Sequence, residues 1–284
     1  MRETVKFTTI DDGKHRFNWG SQEQQRRRRC RLPIAASHHI NLWLGKTFPK
    51  LFPFTFVIGY PKSGTSWASQ VIADVLYVPY PQHALLPLSF ACVLQTHVAC
   101  SPTFPKAVYM MRDGRDVMVS HYFHVAGNRK AQGLKTGDIR TELPAFIRES
   151  ARQPNSSPLN WSAHVKSYFE QPHDRIPLLR YEDLLADGVS EISRILEELI
   201  GHPLSPSLIA MSCERHSFQR LSGRSRGADD RGSWLRNGET GDWKNHFTPA
   251  AADEFLKHFG DALILSGYES DDSWAKPGEL AIAA

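Results

Sequence analysis

The sequence predicts an α/β fold, a mostly parallel central sheet flanked by helices. Short β-branched and aromatic runs alternate with helical periodicities, the pattern of parallel strands joined by crossover helices. Two of those runs, Thr55 to Ile58 and Ala107 to Met111, lead directly into a turn and then a helix. The 284 residues are 41% hydrophobic and 23% charged, which suits one globular domain with enough apolar material for a full core.

Residues 1–50 read as a basic leader, partly disordered or irregular. Met1 to Gln25 is polar and lacks the apolar core of a secretory signal. Arg26 to Arg29 with Arg31 form a basic run. As a nucleic-acid arm that run lacks the interleaved aromatics of a single-strand binder, so a solvated leader and no nucleic-acid partner are expected. No apolar run of 18 residues occurs, and no integral membrane segment is expected. The four cysteines are scattered, as reduced thiols of a cytoplasmic protein would be. The formal charge of +4 suits an anionic ligand.

Residues 51–274 read as a single domain. Its first strand, Thr55 to Ile58, ends at Gly59, and from Ser66 onward Trp67, Val71, Ile72 and Val75 have helical spacing. Between them, Gly59 to Ser66 can point successive backbone N–H groups inward beside a helix N-terminus, a geometry that binds phosphate-like anions. Gly59 and Gly64 have the spacing of a nucleotide-triphosphatase loop, yet Thr65 stands where that motif has lysine. The lysine is Lys62, inside the loop, where its ammonium can reach a bridging oxygen of a bound anion. A tight turn with a surface lysine is the plainer alternative.

A proline-rich connection follows at Pro79 to Pro87, and then the apolar Phe90 to His97. Ala107 to Met111 is the second strand–turn–helix unit, with Arg112-Asp113-Gly114-Arg115-Asp116 as its turn and Asp116 to Val125 as its helix. Residues 127–160 read as an insertion with a short helical piece near Phe146 and Ile147. Trp161 to Phe169 is an amphipathic helix and Ile176 to Tyr181 a strand. Ile192, Ile195, Leu196, Leu199 and Ile200 form an apolar stripe ended by Gly201 and Pro203. Gln219 to Gly241 has no period and reads as a long loop, a lid or locally disordered. A last helix, about Pro249 to Leu265, buries Phe255, Phe259 and Leu263, and residues 275–284 read as a loose tail.

In a parallel sheet both turns lie beyond the carboxyl ends of their strands. Lys62 with its loop, and Arg112 with Ser120 eight residues further on, can therefore face one ligand. A guanidinium and a hydroxyl together suit a terminal phosphate. Arg112 alone reads equally as an ion-pair partner of Asp113 or Asp116. No carboxylate stands out as a magnesium ligand, and His121-Tyr122-Phe123-His124 lacks a third zinc ligand. The expected site is metal-free.

YPKSGTSW at 60–67, QTH at 95–97, RDGRDVMVS at 112–120, LRYEDL at 179–184 and LRNGETGDWKNHFT at 235–248 together resemble the soluble, cytosolic-type sulfotransferases. The matches run in family order between about residues 54 and 268. The resemblance implies the P-loop sulfotransferase architecture and 3′-phosphoadenosine 5′-phosphosulfate (PAPS) as sulfuryl donor, without a metal. It implies an acceptor hydroxyl or amine on a small molecule, lipid or glycan, and release of adenosine 3′,5′-bisphosphate (PAP). Carried over by position, Lys62 meets the 5′-phosphosulfate, and Ser63, Gly64, Thr65 and Ser66 form its cradle. Arg112 and Ser120 hold the 3′-phosphate, over which Arg236, Asn237 and Gly238 close. Trp67, Tyr181 and Phe218 surround the adenine, and His97 is the catalytic base. Nothing in the spacing singles out His97 among thirteen histidines, but an imidazole with a pKa of about 6.5 can accept a proton near neutrality.

The chain departs from the family pattern at several positions. Gln95 and Asn237 stand where the family has lysine, and His216 where threonine is common. The family's homodimer motif begins at Lys244 and Thr248 but is degenerate at Pro249 and Asp253. A P-loop kinase or nucleotide hydrolase is the competing class, requiring Mg²⁺ and ATP. The acceptor cleft is expected from the loops at 79–96, 127–160 and 219–240; Phe90, Phe104, Tyr122, Phe123 and Trp234 could line an apolar cleft there, and the plainer reading of each is core.

Overall fold

The computed structural model describes residues 31–81, 91–152, 157–170, 175–231, 233 and 235–276. Phe90, Trp234, most of the basic run and most of the C-terminal tail lie outside these residues. Four strands pair in parallel: β1 (Thr55–Gly59), β2 (Val93–Thr96), β3 (Ala107–Met111) and β4 (Leu178–Arg180), in the order β2-β1-β3-β4. The central register sets Val57 beside both Gln95 and Val108, and Gly59 beside Met110. β1 and β3 are buried along their whole length, which is why they read as continuous apolar runs instead of alternating ones.

Successive side chains of these strands feed two cores. Phe56, Ile58, Tyr109 and Met111 face one, shared with Trp161, Phe255 and Phe259. Val57, Val108, Met110 and Leu179 face the other, shared with Val71, Ile72, Ile192, Ile195 and Leu196. Each such fully buried side chain contributes roughly 1.5–3 kcal/mol over leaving it exposed.

The helices of the second core are α2 (Thr65–Val75), which returns the chain from β1, and α7 (Gly188–Ile200). α7 is introduced by α6 (Tyr181–Ala186) and followed by α8 (Pro206–Arg215), then by the short α9 (Phe218–Ser222). α7 starts where the Asp187 carboxylate accepts from Ser190 N–H at 3.0 Å, and it stops at Gly201 in the left-handed conformation. The first core is covered by α3 (Gly114–Ala131), α4 (Ile139–Arg152), α5 (Trp161–Phe169) and α10 (Pro249–Leu265). Arg115 fixes the start of α3. It pairs with Asp113 at 2.7 Å and Glu269 at 2.6 Å, and its guanidinium lies between the Trp243 and Trp274 rings at 3.9 and 4.6 Å.

Two segments differ from the sequence expectation. Residues 31–47 of the supposed irregular leader form a helix, α1 (Arg31–Thr47). Its buried positions include Ser37 and Asn41, while Ile40 and Trp43 are exposed, so no apolar stripe announces it. Residues 127–160 are not an insertion with a short helical piece. α3 runs on to Ala131, and α4 is a 14-residue helix that buries Ile139, Leu143 and Ile147. Pro144 sits inside α4 and hides it from a reading that treats proline as a break. The 219–241 segment is irregular after α9, as expected, but it is fastened. The Arg224 guanidinium donates to the Leu235 and Arg236 carbonyls, and Gly227 N–H donates to the Asn237 carbonyl at 2.9 Å.

Candidate active site

β1 and β3 are neighbours in the sheet, so the turns leaving their carboxyl ends lie side by side. Gly59 is required where β1 departs, because a Cβ there would stand 2.4 Å from the Met110 carbonyl oxygen. Beyond it Lys62 adopts a left-handed backbone, φ 72°, an unusual state for a residue with a side chain. Gly64 precedes α2 with no side-chain cap on the helix, leaving its first amides for a ligand.

Arg112, at the end of β3, reaches three elements. Its Nη2 donates to the Glu239 carbonyl at 2.9 Å, its Nη1 lies 3.5 Å from the Lys62 carbonyl, and its guanidinium stacks 4.2 Å over the Tyr181 ring at the start of α6. Asp116, one turn into α3, pairs with Arg112 at 3.6 Å. The same carboxylate accepts from Gly241 N–H at 2.8 Å and Trp243 N–H at 2.9 Å. Asp116 thereby ties the 235–245 segment over the β3 turn. Arg236 in that segment pairs with Asp229 at 2.8 Å and with Asp242, and lies 4.6 Å over Phe123.

Every residue named above as a nucleotide-site or catalytic candidate, except Ser63, lines one cavity of about 340 Å³. Ser63 is buried beneath it, with its hydroxyl unpartnered. Within the cavity wall the Arg112 and Arg236 Nε–H groups and the Trp67 indole N–H are also buried without a partner. Burial, then the charges of Arg112 and Arg236, push the Lys62 pKa down to about 8. Several donors and cations thus converge on one space: Asp116 backs Arg112, and Asp229 and Asp242 back Arg236, but no carboxylate lines the cavity itself among the described residues. That is an anion-binding arrangement.

The sulfotransferase-domain family model matches residues 83–267, more than half of the chain. This chain belongs to the sulfotransferase-domain family. Sulfotransferase 2A2 of Mus musculus is 27% identical over 244 residues, spanning 73% of this chain and 83% of the relative. The 3-beta-hydroxysteroid sulfotransferase of Cavia porcellus is 27% identical over 251 residues, spanning 75% and 84%. The solved structure of mouse sulfotransferase SULT7A1 complexed with PAP shares the fold, with a TM-score of 0.60 at 23% identity over 82% of this chain and 92% of that one.

The cavity lining includes none of the three described aromatic residues named above as candidate lining. Phe104 is core, edge-on to Phe56 at 5.0 Å. The Tyr122 hydroxyl donates to Glu142 at 2.8 Å, and the Phe123 ring meets His246 at 5.4 Å. His121 and His124, together with Gln70 and Gln95, line the cavity instead. His121 is buried with both ring nitrogens unpartnered. Burial, then the nearby His124 and Lys62, push its pKa down to about 4, so it is neutral at pH 7. In the sequence these two histidines register only as an incomplete metal pattern.

Gly238 has φ 73°, and a Cβ on it would lie 2.6 Å from the Phe218 ring. Gly238→Ala is therefore expected to move Phe218 and to weaken PAP binding about tenfold or more, from a strain of ~1–3 kcal/mol. Titration calorimetry gives the affinity; an unchanged value would remove Phe218 and Gly238 from the nucleotide site.

Proposed function

We propose that this sulfotransferase takes a sulfuryl group from PAPS, transfers it to a hydroxyl or amine of a small-molecule, lipid or glycan acceptor, and releases PAP. The observation that carries this reading is the convergence of Lys62, Arg112 and Arg236 with unpartnered buried donors on one cavity at the sheet edge. Lys62 and the open amides of α2 suit the 5′-phosphosulfate. Arg112 and Ser120, with Arg236, Asn237 and Gly238 above them, suit the 3′-phosphate. The Trp67 and Tyr181 rings, 5.7 Å apart, together with Phe218, suit the adenine. PAPS supplies the sulfuryl group. The protein supplies position and charge. His97 takes the acceptor proton, and Lys62 stabilises the charge that develops on the departing phosphate oxygen.

The hydroxysteroid name of the Cavia porcellus relative supports an acceptor hydroxyl on a small molecule. Residues 51–274 as one domain and a cytoplasmic location complete the proposal; homodimerisation is not part of it, because the motif at 244–253 is degenerate at Pro249 and Asp253. Thr248 and Pro249 of that last segment open α10, with the Thr248 hydroxyl accepting from Ala251 N–H at 3.3 Å.

Consumption of PAPS, measured over a panel of phenols, alcohols, amines and glycans in excess EDTA, tests this function. Metal-independent release of PAP is expected. Turnover of ATP that requires Mg²⁺, with none of PAPS, would instead identify a P-loop kinase or hydrolase.

A further inference from the structure

The nitrogen that His97 would use as a base is bonded by a side chain that the family resemblance does not supply. His97 Nδ1 lies 2.6 Å from the Gly59 carbonyl oxygen. A carbonyl only accepts, so Nδ1 carries a hydrogen in both charge states of the ring. In the neutral ring Nε2 is then a bare acceptor, and Gln95 Nε2 faces it at 3.1 Å. The orientation of that carboxamide follows from the ring: only its N–H can bond a bare nitrogen. Its Oε1 accepts from the Ser66 hydroxyl at 2.8 Å and the Tyr80 hydroxyl at 2.5 Å.

Turned over by 180°, the same carboxamide satisfies the opposite state. Its oxygen would accept from Nε2–H of an imidazolium, and its amino group would donate to the Ser66 and Tyr80 oxygens, since hydroxyls both donate and accept. Lysine, the family's residue here, has donors only. It would oppose an imidazolium with a second cation at hydrogen-bond distance. Glutamine imposes no such opposition.

We infer that Gln95 is a positioning residue that follows the proton on His97: its amide N–H caps Nε2 while the ring is a base, and its carbonyl oxygen receives Nε2–H after the ring has been protonated. The inference rests on the sulfuryl-transfer reading for the source of that proton. In that reading the acceptor hydroxyl displaces the Gln95 amide from Nε2 and gives up its proton there. The acceptor oxygen bonds to sulfur, and the sulfur–oxygen bond to the 5′-phosphate breaks, leaving its electron pair on the phosphate oxygen. Ser66 belongs to the donor loop, so the same network joins the two substrates' sites.

The titratable and charged groups around His97 are His38 from α1 and His164 from α5, with Lys62, Arg112, Arg236, His121, His124 and His216 in the same cavity and Tyr80 one hydrogen bond beyond Gln95. Burial and, less strongly, His38 hold the His97 pKa below 6.5 against the opposing bond to Gly59. The resting ring is therefore neutral at pH 7.

Nitrogen NMR of the histidine-labelled full chain tests the inference directly, with the His97 signals assigned by their loss in His97→Gln. The wild type should show hydrogen on Nδ1 and a bonded, unprotonated Nε2 at pH 7. Gln95→Glu should raise the His97 pKa by about one unit or more, as a carboxylate within hydrogen-bond reach does. The acid limb of the kcat–pH profile should rise with it. Gln95→Leu, which can bond neither form, should give the shift of an unbonded Nε2. Hydrogen on Nε2 in the resting protein, or a His97 titration unmoved in both Gln95 variants, would overturn the inference. These shifts need no donor or acceptor, so a failure to turn over PAPS counts against the proposed function alone.

Discussion

Lys62→Ala is expected to lower kcat by about 10²–10³, the loss typical when one preorganised electrostatic partner of a leaving group is removed, and to weaken PAP binding as well. The physical basis is the environment of Lys62 in the cavity. Burial and the neighbouring guanidinium groups of Arg112 and Arg236 depress its pKa to about 8. A bound polyanion offsets the guanidinium charges and pairs with the ammonium directly, which outweighs the burial and draws the pKa up again. Between pH 8 and the raised value, nucleotide binding must then take up protons. PAP affinity should therefore fall as pH rises through 8. Calorimetry in buffers of different ionisation enthalpy measures the uptake, which should vanish in Lys62→Ala. An equal pH slope in the two proteins would detach Lys62 from the nucleotide.

His97→Ala should lose sulfuryl transfer by ~10²–10⁴-fold, the range for removing a general base, with the affinity for PAP little changed. The ring lies in the cavity wall and bonds the Gly59 carbonyl. Deleting it also leaves the Gly59 carbonyl and the Gln95 amide without a partner, at a cost of about 1–3 kcal/mol per buried group. Thermal unfolding of the variant separates that loss from the catalytic one. A fully active His97→Ala enzyme would transfer the role of base elsewhere, with His121 and His124 as candidates in the same cavity.

The parts of this molecule that the sequence declares are those where a local rule and the tertiary structure agree. β1 and β3 are buried on both faces, and a short apolar run allows little else. α7 has a clean stripe, a carboxylate cap and a glycine stop. The 59–66 loop declares itself through two glycines and an internal lysine, because an anion cradle needs those residue types whatever surrounds it. α1 and α4 stay hidden because packing overrides local preference there. α1 buries serine and asparagine and exposes Trp43, while α4 carries a proline.

At the site, motif order foresaw which loop and turn residues share the cavity better than it foresaw the rest of the lining. The loop and the β3 turn owe their proximity to strand pairing alone, which a parallel sheet predicts. The rest of the lining depends on which face of α3 is turned inward. His121 and His124 reach the cavity, while Tyr122 turns to Glu142 and Phe123 to His246. Aromatic content could not make that choice. Gln95 was visible only as a missing lysine; its bonds to His97, Ser66 and Tyr80 exist only in three dimensions.

A crystal structure with bound PAP tests the central claim most directly. The 3′-phosphate should rest against Arg112, Ser120 and Arg236, the 5′-phosphate against Lys62 and the first amides of α2, and the adenine among Trp67, Tyr181 and Phe218. PAP bound with its phosphates exchanged, outside this cavity, or not at all at saturating concentration would contradict it.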